Sequence, residues 1–311
     1  MAEHKGLDPI QKELLAQVAD LHKMPEGAYS LRINGQLEGK NSSEHIQIVK
    51  KTDAPGIDIY IQPGTKNESL HIPVILSQTG LKELVYNDFH IGEDADVTIV
   101  AGCGIHNGGD GDSEHSGIHS FFVSKNAKCK YIEKHYGEGD GNGKNVMNPT
   151  TYFELAEGAY MEMETAQIMG VDSTVRVATG KVMKNATLIV NEKIMTHGEQ
   201  YAETEFDVDL CGEDSGAHVV SRSVAKGNSR QKFVSRIKGN APCTGHTECD
   251  AIIMDNATVV AIPEILAQHT DASLIHEAAI GKIAGEQLIK LMTLGLTEKE
   301  AEEEIVNGFL R

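Results

Sequence analysis

KNATLIVNE, residues 184–192, sets a Lys-Asn turn before an alanine and follows it with alternating side chains. The pattern recurs as EDADVTIVA (93–101), KNAKCKYIE (125–133), EGAYMEMET (157–165), SGAHVVSRS (215–223), DNATVVAIP (255–263) and TDASLIHEA (270–278). Its alanines are Ala95, Ala127, Ala159, Ala186, Ala217, Ala257 and Ala272, and the first five are spaced by 27 to 32 residues. A period in that range marks a solenoid. After each alanine the residues alternate, Val97 and Ile99 on one face against Thr98 and Val100 on the other, which is the period of a strand. The Asp, Asn and Gly before alanine tolerate the backbone angles of tight turns. Turn-plus-strand units without helical periodicity between them predict strands stacked coil upon coil, an all-β, right-handed parallel β-helix. An antiparallel sandwich is the rival, and the scarcity of Asn-Gly hairpin turns counts against it.

Composition agrees. Aromatics are only 5%, Trp is absent and Gly numbers 31 among 311 residues, which suits thin, close-packed layers. The 46 acidic against 28 basic residues leave a net charge of −18, which argues against nucleic acid and anionic membranes as partners. The start, MAEHKGLDPIQKE, lacks the apolar core of a signal peptide, and no later run approaches the ~20 apolar residues of a membrane span. With an odd count of 5 cysteines, the expected setting is a reducing cytoplasm with free thiols.

Helical signals fall only at the ends. In LDPIQKELLAQVADLHK, Asp8 and Gln11 form a capping box, Pro9 suits the first turn, and Ile10, Leu14, Val18 and Leu21 make an apolar stripe. Near the C-terminus Ile283, Leu288, Leu291 and Met292 form a second stripe, Gly295 stops it, and Thr297 with Glu300 caps a further helix carrying Ala301, Ile305 and Phe309. The expected division is an N-terminal helix over 1–26, a β-helix core over 27–278 and a helical hairpin over 279–311.

Three places carry chemistry. GCGIHNGGDGDSEHSGIHS (102–120) holds Cys103, His106, His115 and His119, one thiol and three imidazoles able to converge on a transition metal if its Gly/Asp-rich stretch is a loop. CTGHTEC (243–249) sets His246 between Cys243 and Cys249. In a strand the two cysteines share a face but stand too far apart for one ion, so a shared ion needs a turn at Thr244 and Gly245; otherwise they are packed thiols. SLIHEAAIGKI (273–283) places His276 and Glu277 where the last strand meets the C-terminal helix.

The stretch IPEILAQHTDASLIHEAAIGKIAGEQLIKLMTLGLTEKEAEEEIVNGFL (262–310) resembles the C-terminal signature of the SufB/SufD family of iron–sulfur assembly proteins. The matching points are Pro263, His276-Glu277-Ala278, Gly285-Glu286-Gln287-Leu288, the helix end from Leu291 to Gly295, and Asn307-Gly308-Phe309. Residues Gly245 to Asp250 resemble a T-Q-C-D run of the SufB branch and set Cys249 on its cysteine, so the continuous match covers roughly 245–310. The spacing from Pro263 to His276 is SufB-like, and the chain resembles a short version of that branch.

The resemblance implies a scaffold rather than an enzyme, carrying a transient iron–sulfur cluster or iron. It implies a SufC-like ABC ATPase docked at the C-terminal helices through Ile283, Leu288, Leu291 and Met292, since the chain has no Walker A motif of its own. It implies pairing with a second β-helical subunit, as a homodimer or a SufB/SufD-type heterodimer, and a cysteine desulfurase or other sulfur donor. It makes His276 functional, with Glu277 beside it, and puts Cys249 and His276 near the subunit contact. Cys103 with its histidines is then a second metal-capable wall, suited to iron entry. Two departures matter: the family cysteine that accepts sulfur falls at Ala267 here, and the family's long N-terminal helical domain is reduced to about one helix. The alternatives are a SufD-like structural partner that binds no cluster, and a metal-dependent β-helix enzyme such as a sugar lyase, which the acidic charge disfavours.

Overall fold

The structure, a computed structural model, describes residues 6–19, 21 and 27–310. The expected N-terminal segment 1–26 therefore lies partly outside the described residues. Two ten-stranded sheets face each other, and the chain passes from one to the other and back in a β-solenoid of about 8 turns. The pairing between coils is parallel and in register: Tyr201–Leu210 matches Ser173–Val182 on one side and Arg230–Gly239 on the other without a slip. At the N-terminal end two antiparallel pairs, Ala28–Ile33 with Gln36–Asn41 and Ile46–Lys50 with Gly56–Ile61, flank the first coil.

The repeat works as a corner. Asp94, Asn126, Asn185 and Asp214 take left-handed φ values of 55 to 57°, and Gly158 takes 69°. Such angles suit Asn, Asp and Gly. The next residue turns inward and must be small. The register stacks Ala95, Ala127, Ala159, Ala186, Ser215, Cys243 and Ala272 in one column, buried in all but the last. The expected alignment is thus corrected in two places. Ser215, not Ala217, is the counterpart of Ala186, because Thr187 pairs with Gly216. Ala257 opens a strand of the other sheet, Thr258–Ala267.

Helix α1 (Pro9–Ala19) begins with the expected capping box, in which Gln11 N donates to Asp8 Oδ1 at 2.8 Å and Asp8 N to Gln11 Oε1 at 3.2 Å. It buries Leu14, Leu15, Val18 and Ala19, whereas Ile10 is exposed, so the stripe is rotated from the expected one. The helix lies on the outer face of the Asp96–His106 strand, and the G-C-G motif is what lets it approach. A Cβ at Gly102 would stand 2.2 Å from the Val18 carbonyl oxygen, and one at Gly104 would stand 3.1 Å from Leu14 Cβ. Between them Cys103 points the other way, into the solenoid.

The C-terminal end is open. The last strands, Thr258–Ala267 and Ala272–Gly281, are the edges of their sheets. Their surface leaves Ile262, Ile265, Leu266 and Ile275 exposed. Helices α2 (Gly285–Thr293) and α3 (Glu298–Phe309) follow, α3 with the expected Thr297–Glu300 capping box. None of the residues of α2 is buried: Leu288 and Leu291 are half-covered, as is Ile283 just before it, and Met292 is exposed. Among the described residues no helix is long and apolar enough to cross a membrane.

Because the α1 backbone rests on Gly102, Gly102→Val is expected to lift the helix from the sheet and cost about 1–3 kcal/mol, the usual penalty of overpacking. Chemical denaturation measures the loss, and cleavage within residues 6–19 by limited proteolysis locates it; unchanged stability would show that the helix is not seated there.

Candidate functional site

Strand alternation decides which candidates meet. Cys103 lies at an inward position of Asp96–His106, and His115 and His119 at inward positions of Ser113–Val123 on the opposite sheet. The segment expected as a loop is therefore mostly two strands. His106 faces outward, its Nδ1 3.2 Å from Glu138 Oε1, and does not join the others. The coil that follows supplies residues that the sequence reading missed. Cys129, Tyr131, Glu133 and His135 continue the inward positions after Ala127, and His135 is the register partner of Cys103. Arg176 enters from the second sheet.

These side chains form a continuous polar network inside the tube. Arg32 Nη2 lies 2.6 Å from Glu83 Oε1, and Glu83 Oε2 lies 3.4 Å from His115 Nδ1, an ion contact that falls short of hydrogen-bond geometry. His135, the register partner of Cys103, and His115 from the opposite sheet flank its thiol and act on its charge. His135 Nε2 lies 3.6 Å from Glu133 Oε1, Glu133 is paired directly with Arg176, and Arg176 Nε reaches Glu192 Oε1 at 3.5 Å. Thr204 and Ser221 donate to Glu192 at 2.9 and 2.7 Å. His119 stands to one side, its Nδ1 2.7 Å from the Tyr131 hydroxyl, which donates to Glu133.

The register aligns part of this network along the solenoid axis. Glu133, Thr165, Glu192, Ser221 and Cys249 are successive partners in one row. At ~4.8 Å per coil, the Cys103 and Cys249 strands, five coils apart, stand about 24 Å from each other. Cys249 lines a small interior space with Glu192, Thr204 and Ser221.

The environments sort the thiols. Burial alone would push Cys103 up, but the charge and hydrogen bonds of His115 and His135 bring it down to about 7. The same pairing lifts His115 to about 10 against its own burial. Burial holds His119 down at about 4. Burial, Glu192 and Asp250 push Cys249 up to about 12, and burial raises Cys129 and Cys243 as well. All five cysteines are free. Cys103 thus alone has the environment of a reactive thiolate.

CTGHTEC is strand throughout, within Cys243–Ile253, with no turn at Thr244 and Gly245. Cys243 and Cys249 face inward and His246 outward, so the three do not share a centre. Cys243 fills the small-residue column, which accounts for it. At the last coil His276 turns inward, its Nδ1 2.7 Å from Thr247 Oγ1, and burial lowers its basicity. Glu277 turns outward, its Oε2 3.3 Å from His246 Nε2.

The fold and interior define a class: a parallel β-solenoid with a thiol set among imidazoles in its core and His276 and Glu277 on the last strand, just before the C-terminal helices. A sequence profile described as SUF system FeS cluster assembly, SufBD core domain, matches residues 83–309. The chain is 33% identical over 278 residues to an iron–sulfur cluster assembly SufBD family protein of Archaeoglobus fulgidus, covering 87% of this chain and 72% of that one. It is 29% identical over 243 residues to one of Methanocaldococcus jannaschii (78% and 76%) and 26% identical over 289 residues to one of Pyrococcus horikoshii (85% and 84%). The chain belongs to the SufB/SufD family of iron–sulfur cluster assembly proteins.

If His115 and His135 hold Cys103 as a thiolate, the thiolate absorbance of the folded chain, taken as wild type minus Cys103→Ser, rises with a midpoint near pH 7. The sign follows from the lowered value: the charged form is present above the midpoint and lost as pH falls through it. In His115→Ala the midpoint is expected to move up toward the ordinary thiol value of about 8.5; a wild-type midpoint already there would refute the activation.

Proposed function

We propose that this chain is a scaffold subunit, SufB-like in its terminal coil, on which iron–sulfur clusters are assembled, with ATP hydrolysis supplied by a SufC-like ABC ATPase. The observation that carries the reading is the inward placement of Cys103 with His115 and His135 inside a member of this family. With Ala267 at the family's cysteine position, Cys103 takes the sulfur. The thiolate attacks the terminal sulfur of a persulfide; a new S–S bond forms at Cys103, the donor S–S bond breaks, and the donor leaves as a thiolate. At 6% exposure Cys103 suits a small persulfide, generated by a cysteine desulfurase, better than another protein's cysteine. Free cysteine thiols then reduce the Cys103 persulfide, two thiols being oxidised to a disulfide as hydrosulfide leaves and the Cys103 thiol is regenerated. Cys249, His276 and Glu277 sit on the terminal coils, where iron and this diffusible sulfide are joined as transient cargo.

The partners follow from surfaces. The open edge strands and the apolar residues they leave uncovered support pairing with a second β-helical subunit, identical or SufD-like. The uncovered side of α2, with Met292 beside Leu288 and Leu291, supports docking of the ATPase. Free thiols throughout support a reducing cytoplasm. One observation favours a second reading: Cys249 is a high-pKa packed thiol, as a SufD-like structural subunit without a cluster would have it.

Anaerobic loading with ferrous iron, cysteine and a desulfurase, followed by iron, sulfide and mass analysis, decides between them. The wild type is expected to gain iron, sulfide and one additional sulfur on the Cys103 peptide, and Cys103→Ser to gain none of these. His276→Ala is expected to lose iron and sulfide while changing stability by less than about 2 kcal/mol, the scale of a broken buried network. A wild type that gains neither iron nor sulfide selects the structural reading, and a Cys103→Ser chain that loads normally removes the role of that thiol.

A further inference from the structure

We propose that His246, Glu248 and Glu277 form a binding site for one divalent first-row metal ion on the outer face of the terminal coils. Their donor atoms, one from each side chain, all lie within 4.8 Å of one another. Glu248 and Glu277 are register partners on adjacent strands, and His246 stands two residues before Glu248 on the same outward face. Ligands at about 2.1 Å from a common ion stand about 3–4 Å apart, so small side-chain rotations close the set. The backbone needs no change, because all three residues are fixed by the parallel ladder.

Two neighbours strengthen the assignment. The His218 ring, one coil back, meets the His246 ring edge-on at a centroid distance of 4.9 Å and limits its rotation. Asp250 crowds Glu248 on the same face and, with burial, raises its carboxyl, while Arg222 offsets only part of that negative charge. A bound cation relieves the crowding. One imidazole and two carboxylates without a thiolate make a borderline-to-hard donor set that suits Fe²⁺ or Mn²⁺ better than Cu⁺.

The assignment of ferrous iron as the physiological ion rests on the cluster-assembly reading; the metal site itself does not. Glu248 adjoins the inward Cys249, and Glu277 adjoins the inward His276. An ion on this face therefore waits one sheet thickness from the interior donors and serves as the supply of iron to them.

Mn²⁺ is the probe, because it binds without sulfur chemistry and its free form is counted by electron paramagnetic resonance. The wild type is expected to take up one Mn²⁺ per chain, displaced by Fe²⁺ under anaerobic conditions. His246→Ala, Glu248→Gln and Glu277→Gln are each expected to weaken binding at least about tenfold, as loss of a ligand or its support does. Absence of stoichiometric uptake, or uptake that none of the three variants weakens, overturns the site. Stoichiometric uptake by a chain that never loads cluster keeps the site and removes its role as iron supply.

Discussion

Parallel, in-register stacking is the constraint on which the rest depends. Each inward residue sits above its counterpart in the next coil, in a tube too narrow for water to solvate everything that enters it. A charged side chain placed there must find its partner among the residues of neighbouring coils, since an unpaired buried charge is far more costly than a paired one. Arg176 shows how this is met. It reaches across the tube to Glu133 and Glu192, which belong to strands two coils apart. Removing one partner of such a set costs about 3–5 kcal/mol, so the network holds the coils in register as well as carrying charge.

The same constraint separates thiols that look alike in sequence. Cys103, Cys129, Cys243 and Cys249 are all buried, yet they stand in different company. Cys243 takes the place of alanine in the corner column, and burial governs Cys129. Cys249 faces the carboxylate of Glu192, which disfavours a second negative charge. Only Cys103 has two imidazoles, and the Glu83 carboxylate 3.4 Å beyond His115 favours the charged ring that in turn favours the thiolate. The outer face of the terminal coils follows the opposite logic: there Glu248, Asp250 and Glu277 gather beside His246 at the surface, where a cation can reach them.

Much of this was legible in the sequence. The turn-Ala-alternation repeat reports the corner directly, because left-handed Asn or Asp and a small inward residue are local requirements of each coil. The helix caps at Asp8 and Thr297 are equally local. The interior site was only half legible. Cys103, His115 and His119 stood out as a dense group, but His106 belongs to the other face, and Glu133, His135 and Arg176 lie 30 to 73 residues beyond Cys103. Extending the alternation through KCKYIEKHY places Glu133 and His135 inward beside Cys129 and Tyr131. Arg176 had no such signal, since its approach depends on the two sheets facing each other. The pairing of Glu248 with Glu277 likewise needed the register between coils.

The central claim is that the interior of this solenoid holds an ionised histidine–cysteine pair. Nitrogen NMR of the chain with ¹⁵N-labelled histidine, at pH 8, tests it most directly. With His115 raised to about 10, both of its ring nitrogens are expected to carry protons at that pH and to lose one when Cys103 is replaced by serine. A neutral His115 ring in the wild type at pH 8 would contradict the account.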